Sequence, residues 1–226
     1  MRKQLLRRIV SQFHHPRGLP GRLVGWEMAL RPSNRKRNAW AVSLMDVQPS
    51  DRVLEIGFGP GVAVRAIARR ATRGEVVGID RSAVMRAQAA RRNAAAIRAG
   101  RVSLAVASVE DLPAFDRPFD KILAVNNMGM WPEPGVRLEE LAGLLRGGGL
   151  IAIVSQPRVP GATAESTAAA AREIVGLLEA ADFTAIRVET LDLKPPVACV
   201  IGSAPSAPAR SLTPDDRAAR SGGSSR

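Results

Sequence analysis

Short β-branched runs alternate with helical stretches along most of the chain, and this alternation constrains the fold more than any other feature. Five runs have the length and apolar content of buried strands, at 52–57, 75–79, 102–107, 119–125 and 149–155. Stretches rich in alanine, arginine and leucine follow them at about 61–71, 82–98, 136–146 and 164–181. This β-α-β-α order predicts an α/β fold with a mostly parallel sheet, because each parallel connection crosses one face of the sheet and places a helix there.

The last two strand-like segments break the alternation. Segments 183–193 and 197–202 are separated only by Lys194, Pro195 and Pro196, with no helical stretch between them. So short a connection permits only an antiparallel pair. We therefore predict that the parallel sheet ends in an antiparallel C-terminal hairpin, which distinguishes this topology from the common dinucleotide-binding fold.

The cysteine content and the hydropathy pattern indicate where such a chain works. It contains one cysteine among 226 residues, so an internal disulfide is impossible and a reducing compartment is expected. No run of about 18 apolar residues occurs, so no membrane span is predicted. Arg7 and Arg8 interrupt the apolar stretch that a signal peptide needs. We expect a cytoplasmic protein.

The formal net charge of +12 is concentrated at the N-terminus. Residues 1–40 contain ten basic residues and one acid, whereas residues 41–201 contain nineteen basic and eighteen acidic residues. An enzyme that binds nucleic acid usually spreads its basic surface over the folded body. A nucleic-acid partner is therefore disfavoured, although a basic arm that binds RNA or protein remains an alternative.

Composition divides the chain into three predicted segments. Residues 1–34 form a basic N-terminal extension, residues 35–202 form the folded domain, and residues 203–226 form a disordered tail with almost no large apolar side chains. Within residues 1–13, the apolar side chains would line one face of a helix and the arginines would lie largely opposite. Such a helix is either a lid that packs on the body or a peripheral contact with an anionic membrane surface.

The segment VLEIGFGPGV, residues 53–62, carries the strongest chemical information. The dinucleotide fingerprint G-x-G-x-x-G fails here, because the third residue after Gly59 is Val62. No Gly-Lys-Ser/Thr of a phosphate loop follows either. The pattern is instead E-x-G-x-G-x-G, which begins at Glu55, and Asp80 closes the second strand. A carboxylate beside the turn would repel a pyrophosphate and favour a ligand with a positive charge.

This pattern resembles the class I S-adenosylmethionine-dependent methyltransferases, whose cofactor has a sulfonium, an ammonium and no phosphate. Three further segments resemble the same family: ASVEDLP (107–113) resembles the segment beside the adenine, FDKILAVNNMGMW (119–131) the fourth strand, and LLRGGGLIAIV (144–154) the turn into the fifth. The resemblance covers about residues 35–202. It implies a Rossmann-like fold with a seven-stranded sheet and helices on both faces.

The resemblance also implies a cofactor site without a metal, with S-adenosyl-L-methionine as cofactor and S-adenosyl-L-homocysteine as product. Asp80 would accept hydrogen bonds from two ribose hydroxyls, or it could instead cap the following helix. Ser108 stands where the family more commonly has an aspartate. The expected cofactor-binding residues are Glu55, Ile56, Gly57, Phe58, Gly59, Gly61, Asp80, Arg81, Ser108, Val109, Glu110 and Asn126.

Within the class, the chain resembles small-molecule enzymes of the type 11 group, which includes ubiquinone and menaquinone biosynthesis relatives. The segments FHHPRG (13–18), RPSNRKRN (31–38) and VLEIGFGPG (53–61) resemble a bacterial subgroup of unclear substrate within that group. The fourth strand lacks the Asn/Asp-Pro-Pro-aromatic motif of enzymes that methylate adenine or glutamine amino groups. Cys199 lies in the last strand, far from the position of a 5-methylcytosine nucleophile. We predict methyl transfer to a small molecule by in-line displacement, with a lipophilic acceptor if residues 1–13 contact a membrane. The alternative is an RNA or protein methyltransferase.

Residues for the acceptor are less strongly indicated. Methyl transfer from a sulfonium requires alignment more than a catalytic group. If the acceptor must lose a proton, His14 and His15 are the only histidines and hence the candidate bases; a contact in the pocket or a surface position are the alternatives for both.

Four further residues complete the candidates for contact with the acceptor. Arg31, Asn34 and Arg37 would contact an acidic acceptor or the cofactor carboxylate, or else form a solvated start of a helix. Trp131, after the fourth strand, would line the acceptor pocket or pack under the next helix. Both a monomer and a homodimer fit the sequence.

Overall fold

A seven-stranded sheet forms the centre of the molecule in the computed structural model, which describes residues 31–205. The strand order is β3-β2-β1-β4-β5-β7-β6. Strands β1 to β5 are parallel, and β7 runs antiparallel to both β5 and β6. The strands are β1 (Arg52–Ile56), β2 (Glu75–Asp80), β3 (Val102–Val106), β4 (Phe119–Val125), β5 (Leu145–Ser155), β6 (Thr184–Leu191) and β7 (Val197–Ser203). The predicted mixed sheet and its C-terminal hairpin are confirmed.

Helices cover both faces of this sheet. They are α1 (Pro32–Leu44), α2 (Val62–Ala68), α3 (Ala83–Arg92), α4 (Ala94–Arg98), α5 (Pro134–Leu144) and α6 (Ala164–Ala180), with a 3-10 turn at Met128–Met130. Apolar residues of α1, α2 and α3 pack on one face, and those of α5 and α6 pack on the other. Because both faces are covered, the central strands read as near-continuous apolar runs rather than as alternating ones.

The predicted single helix over 82–98 is two helices in the structure. Asn93 separates them, and its side-chain amide donates to the carbonyl of Ala89 at 2.9 Å and to that of Gly61 at 3.2 Å. Asparagine competes for backbone hydrogen bonds in this way and so interrupts helices. The interruption ties α3 to the loop that follows β1.

One helix and one strand extend past the ends of the segment predicted to form the folded domain. Helix α1 begins at Pro32, within the predicted extension 1–34. At the other end, β7 reaches Ser203, and Ala204 is buried with its backbone N–H bonded to the carbonyl of Gly149 at 2.8 Å. Both differences arise because tertiary packing decides where a helix or strand ends. The remainder of the predicted extension and tail lies outside the described residues.

No helix within residues 31–205 is long and apolar enough to cross a bilayer.

The parallel strands give the sheet two different edges. The carboxyl ends of β1 to β5 all point to one edge, called here the carboxyl edge, and their amino ends point to the opposite amino edge. In open α/β sheets, ligands bind outside the carboxyl ends.

Candidate active site

The loops after β1, β2, β4 and β5 meet at the carboxyl edge, and α1 packs beside them. A small cavity of about 50 Å³ lies between α1 and the turn that follows β1. Its lining residues are Asn34, Arg37, Asn38, Glu55, Gly57, Phe58, Gly59, Pro60, Val62 and Val125. A larger groove of about 440 Å³ lies between α6 and the β6–β7 hairpin, and none of the predicted site residues lines it. The small cavity therefore marks the predicted site.

The three glycines of the turn after β1 have different neighbours. A Cβ at Gly57 would lie 2.1 Å from Nδ2 of Asn127, and one at Gly61 would lie 2.7 Å from the Cβ of Ala89 in α3. At Gly59, where φ is +50°, the Cβ position has no atom within 4 Å among the described residues. Packing inside the protein thus requires two of the glycines. Gly59 turns its bare face to open space.

Asp80, at the end of β2, holds this turn in place. Its Oδ2 accepts a hydrogen bond from the backbone N–H of Gly59 at 2.8 Å, and its Oδ1 accepts one from the N–H of Ser82 at 2.8 Å. Burial raises the pKa of Asp80, and these two donors oppose the rise. Ser82 is the N-cap of α3 and accepts from the N–H of Met85, so the helix-cap alternative for Asp80 is wrong. Each carboxylate oxygen retains capacity for a further donor.

Glu55 lies in β1 on the face that α1 and α2 cover, and its exposed fraction is 2%. The backbone N–H of Val64 in α2 donates to its carboxyl group, whereas its Oε2 has no hydrogen-bond partner in the described part of the chain. Burial, followed by the nearby charge of Asp80, raises the pKa of Glu55 well above 4.5. No ion pair within residues 31–205 involves either acid. A ligand with a positive charge would relieve both.

Two arginines meet at Gln156, the residue that follows β5 at the same edge. Arg37 in α1 is 4% exposed and donates to Oε1 of Gln156 at 2.7 Å and to Oδ1 of Asn34 at 2.6 Å. Arg158 donates to the same two oxygens at 3.1 and 3.2 Å. Burial, and then the charge of Arg158, lower the pKa of Arg37 to about 10. The prediction of a solvated helix start is therefore wrong for Asn34 and Arg37, because α1 packs against the end of β5. Arg31 is half-buried.

The two polar residues after β4, Asn126 and Asn127, hydrogen-bond to the backbone of neighbouring segments. The side chain of Asn126 pairs with the backbone of Gln156, accepting from its N–H at 2.7 Å and donating to its carbonyl at 3.2 Å. The side chain of Asn127 donates to the carbonyl of Ile56 beneath the glycine turn. Asn126 and Gln156 thereby join the ends of β4 and β5, and a contact of Asn126 with a cofactor stays a prediction.

The other predicted residues fall into buried and exposed groups. Ile56 and Phe58 are buried, and Val109 is 7% exposed. Ser108 accepts from the backbone N–H of Glu110, whose side chain is exposed. The guanidinium of Arg81 contacts the sulfur of Met130 at 3.4 Å. Trp131 is buried in the apolar cluster of α5 and α6, as the packing alternative has it. His14 and His15 lie outside the described residues.

Sequence reasoning missed Asn127, Gln156 and Arg158. Each follows a buried strand at the carboxyl edge, and that position is the signal that could have identified them. Cys199 is buried in β7, and burial raises the pKa of its thiol to about 12. Such a thiol is a poor nucleophile near neutral pH, in keeping with the sequence interpretation. Within the described range, no group of three or more His, Cys, Asp or Glu side chains is arranged to hold a metal.

Comparisons with known proteins identify the enzyme class. A family model described as a methyltransferase domain matches residues 53–149. The uncharacterized methyltransferase YdaC of Bacillus subtilis is 31% identical over 173 residues, which are 76% of this chain and 92% of that protein. The ubiquinone/menaquinone biosynthesis C-methyltransferase UbiE of Geotalea daltonii is 31% identical over 128 residues, 55% of this chain, and the chain spans 54% of that protein.

A solved structure with the same fold contains a bound product. The N-methyltransferase NodS from Bradyrhizobium japonicum, in complex with S-adenosyl-L-homocysteine, has a TM-score of 0.61 and 15% sequence identity, and the match covers 80% of this chain and 91% of that one. At this identity the likeness concerns the fold alone. It shows that a sheet of this kind, with helices on both faces, occurs in methyltransferases.

Proposed function

This chain belongs to the class I S-adenosylmethionine-dependent methyltransferases, and we propose that it transfers the methyl group to a small-molecule acceptor at the carboxyl edge. The match to the family model and the related methyltransferases support the activity and the cofactor. The contacts of the cofactor and the class of the acceptor are proposals from the geometry of the site.

The fit of the cofactor rests on two features of the loop edge. Gly59 presents open space beside Asp80, whose oxygens have remaining capacity for two ribose hydroxyls. Glu55 has an unpartnered buried oxygen and lies where the positive end of the cofactor would relieve it. Ser108, Val109 and Glu110, after β3, would flank the adenine.

The remaining loop residues would shape this site rather than recognise the ligand. Gly57 and Gly61 allow the turn to pack on Asn127 and α3. Ile56 and Phe58 anchor the turn in the core. Arg81 would rim the site beside Met130.

The chemistry requires alignment above all. The bound cofactor supplies a methyl carbon that its sulfonium activates toward in-line displacement. The chain contributes a preorganised cradle: Asp80 fixes Gly59, α1 excludes water from the end of β1, and Glu55 holds the positive charge. Orientation of this kind accounts for several kcal/mol of a displacement barrier. His14 and His15 remain the candidate bases for an acceptor that must lose a proton.

The position of α1 is the observation that carries the small-molecule acceptor. Helix α1 buries Asn34 and Arg37 against Gln156 at the end of β5 and lines the small cavity beside the turn after β1, so it narrows the carboxyl edge there. A polymer needs an open strip of surface leading to the reacting atom, whereas a small molecule needs only a pocket. The near balance of basic and acidic residues over 41–201 also gives a polyanion little attraction.

Calorimetry with S-adenosyl-L-homocysteine tests the cofactor site. We expect Asp80→Ala and Gly59→Val each to weaken binding by about tenfold or more, which corresponds to about 1.4 kcal/mol. Asp80→Ala removes the proposed acceptor of the ribose hydroxyls, and Gly59→Val places a side chain in the space proposed for the cofactor. Gly100→Val is the matched control, because Gly100 has φ +68° and open space around its Cβ position but lies before β3, away from the carboxyl edge. Unchanged affinity in both site variants would refute the proposed site.

Labelled methyl donor tests the acceptor class. Incubation with host lysate separated into small-molecule, RNA and protein fractions should place the label in the small-molecule fraction. Label in RNA, with a steep salt dependence that disappears when residues 1–30 are deleted, would instead favour the basic-arm alternative. Label in the protein fraction alone would also contradict a small-molecule acceptor.

A further inference from the structure

Two guanidinium groups, those of Arg37 and Arg158, lie side by side at the end of β5. Within residues 31–205, the hydrogen bonds of Arg37 and Arg158 go to the amide oxygens of Asn34 and Gln156. No carboxylate within residues 31–205 forms an ion pair with either arginine. The arginines also lie close enough for the charge of one to lower the pKa of the other. Bringing two like charges together costs free energy unless an anion joins them.

Arg37 has an additional unmet requirement. It is 96% buried, since its exposed fraction is 4%, and its Nε has no hydrogen-bond partner among the residues that the structure describes. Its side chain lines the cavity between α1 and the glycine turn. A buried N–H of a charged group left without an acceptor is costly, and most such groups in native proteins find one. The missing acceptor is therefore expected to enter from the cavity.

The strand order indicates which molecule brings it. The proposed cofactor contacts follow β2 and β1, whereas Gln156 and Arg158 follow β5. In the sheet, β5 lies two strands beyond β1, which is about 10 Å at the usual strand spacing. Arg37 and Arg158 therefore lie on the β5 side of the carboxyl edge, and Arg37 reaches the cavity that Glu55 and the glycine turn also line. The nucleoside contacts proposed for Asp80 lie on the β2 side.

We infer that Arg37 and Arg158 form a subsite for an oxyanion of the methyl acceptor, a carboxylate or a phosphate group. The inference rests on the proposed function, because it places the acceptor beside a bound cofactor. Planar guanidinium groups bind such oxyanions with two parallel hydrogen bonds. The side-chain oxygens of Gln156 and Asn34 each accept from both arginines and so hold the two guanidinium groups next to each other. The site then has an acidic half for the cationic cofactor and a basic half for an anionic acceptor.

Thermal unfolding of the protein saturated with S-adenosyl-L-homocysteine tests the subsite. The probes are benzoate, phenyl phosphate and the neutral control benzamide, each titrated at constant ionic strength. We expect at least one of the two anions to raise the melting temperature more than benzamide does, because a ligand that binds the native state stabilises it. The anion with the larger effect identifies the chemical class of the acceptor group.

Arg158→Gln is the decisive variant, because Arg158 is exposed at the rim and its loss should not unfold the protein. It should weaken anion binding about fivefold or more, because one of the two guanidinium groups that bind the anion is lost. Arg70→Gln is the control: it removes the same charge from an exposed arginine just after α2 and should leave anion binding unchanged.

Two results would overturn the subsite. Equal effects of benzamide and both anions on the wild-type protein would show that no oxyanion is recognised. A tenfold loss of S-adenosyl-L-homocysteine affinity in Arg158→Gln would assign the guanidinium to the carboxylate of the cofactor itself. Failure of the proposed function is distinct, since the wild-type protein would then not bind S-adenosyl-L-homocysteine at all.

Discussion

The two edges of the sheet treat charged residues in opposite ways. At the amino edge, Arg52 pairs with Glu75 at 2.8 Å and with Asp116 at 2.9 Å, and Lys121 pairs with Asp51 at 2.7 Å. Glu55 lies only three residues after Arg52 in β1, yet within the described structure no ion pair reaches it. The same strand therefore runs from a neutralised edge to one with an unmatched charge.

This difference separates the parts that hold the fold from the parts that bind. The charged side chains at the amino edge form ion pairs with one another, so this edge needs no ligand to balance its charge. At the carboxyl edge, two acids lie at the ends of β1 and β2 and two arginines meet at the end of β5. Burial shifts the pKa values of Glu55, Asp80 and Arg37. Perturbed pKa values of this kind concentrate at functional sites. We expect substitutions at the two edges to move stability and affinity separately.

The largest effect on stability should come from Lys121→Met at the amino edge. Lys121 and Asp51 each have a side chain that is 8% exposed, and the substitution leaves the carboxylate buried without its cation. Such losses cost about 3–5 kcal/mol, measurable as the free energy of unfolding in urea. S-adenosyl-L-homocysteine affinity should stay unchanged, because the pair lies at the far end of the strands.

The double variant Lys121→Met with Asp51→Asn provides the control for that loss. Removing the second charge should recover most of the stability, since no buried ion then remains unpaired. If the single variant is as stable as the wild type, the buried pair of Lys121 and Asp51 does not stabilise the fold.

Glu55→Gln should separate stability from binding at the carboxyl edge. Because the folded-state pKa of Glu55 is raised above 4.5, its contribution to stability decreases as pH rises from that value through the folded pKa. Glutamine does not titrate, so the variant should gain about 1–2 kcal/mol near pH 8, and the gain should shrink toward about pH 4.5. Affinity for S-adenosyl-L-homocysteine should fall about tenfold, since a cation loses its carboxylate partner.

Glu75→Gln is the matched substitution at the amino edge. Glu75 accepts from Arg52 at 2.8 Å and from Arg117 at 3.1 Å, so its neutralisation should lower stability and leave affinity unchanged. Chemical unfolding at several pH values measures both variants. A loss of stability in Glu55→Gln equal to that in Glu75→Gln would abolish the distinction between the edges.

The smallest effect should come from Arg146→Gln, which removes an exposed ion pair at the amino edge. Arg146 and Asp120 lie 2.6 Å apart, but their side chains are 53% and 25% exposed. Exposed pairs contribute about 0–1 kcal/mol, and Asp120 keeps its hydrogen bond from the backbone of Arg52. A loss as large as that of Lys121→Met would show that burial is not what makes the amino-edge pairs stabilising.

Much of the fold and part of the site were predictable from the sequence. The strand and helix alternation, the absence of a helix between β6 and β7, and the E-x-G-x-G-x-G spacing after β1 predicted the sheet, the hairpin and the family. These features are encoded locally, because periodicity and loop length depend on neighbouring residues. The placement of Glu55 and Asp80 at one edge followed as well, since parallel strands end together.

The tertiary structure alone decided how those residues are used. Three glycines look alike in the sequence, but Asn127 and α3 fill the space at two of them and leave Gly59 open. Arg37 and Gln156 are 119 positions apart, so no local pattern relates them. They meet because α1 packs against the end of β5. An arginine is usually exposed to solvent, but the packing buries Arg37 and leaves its charge at the site. Long-range packing sets burial, and burial sets both the charge balance and the chemistry of this edge.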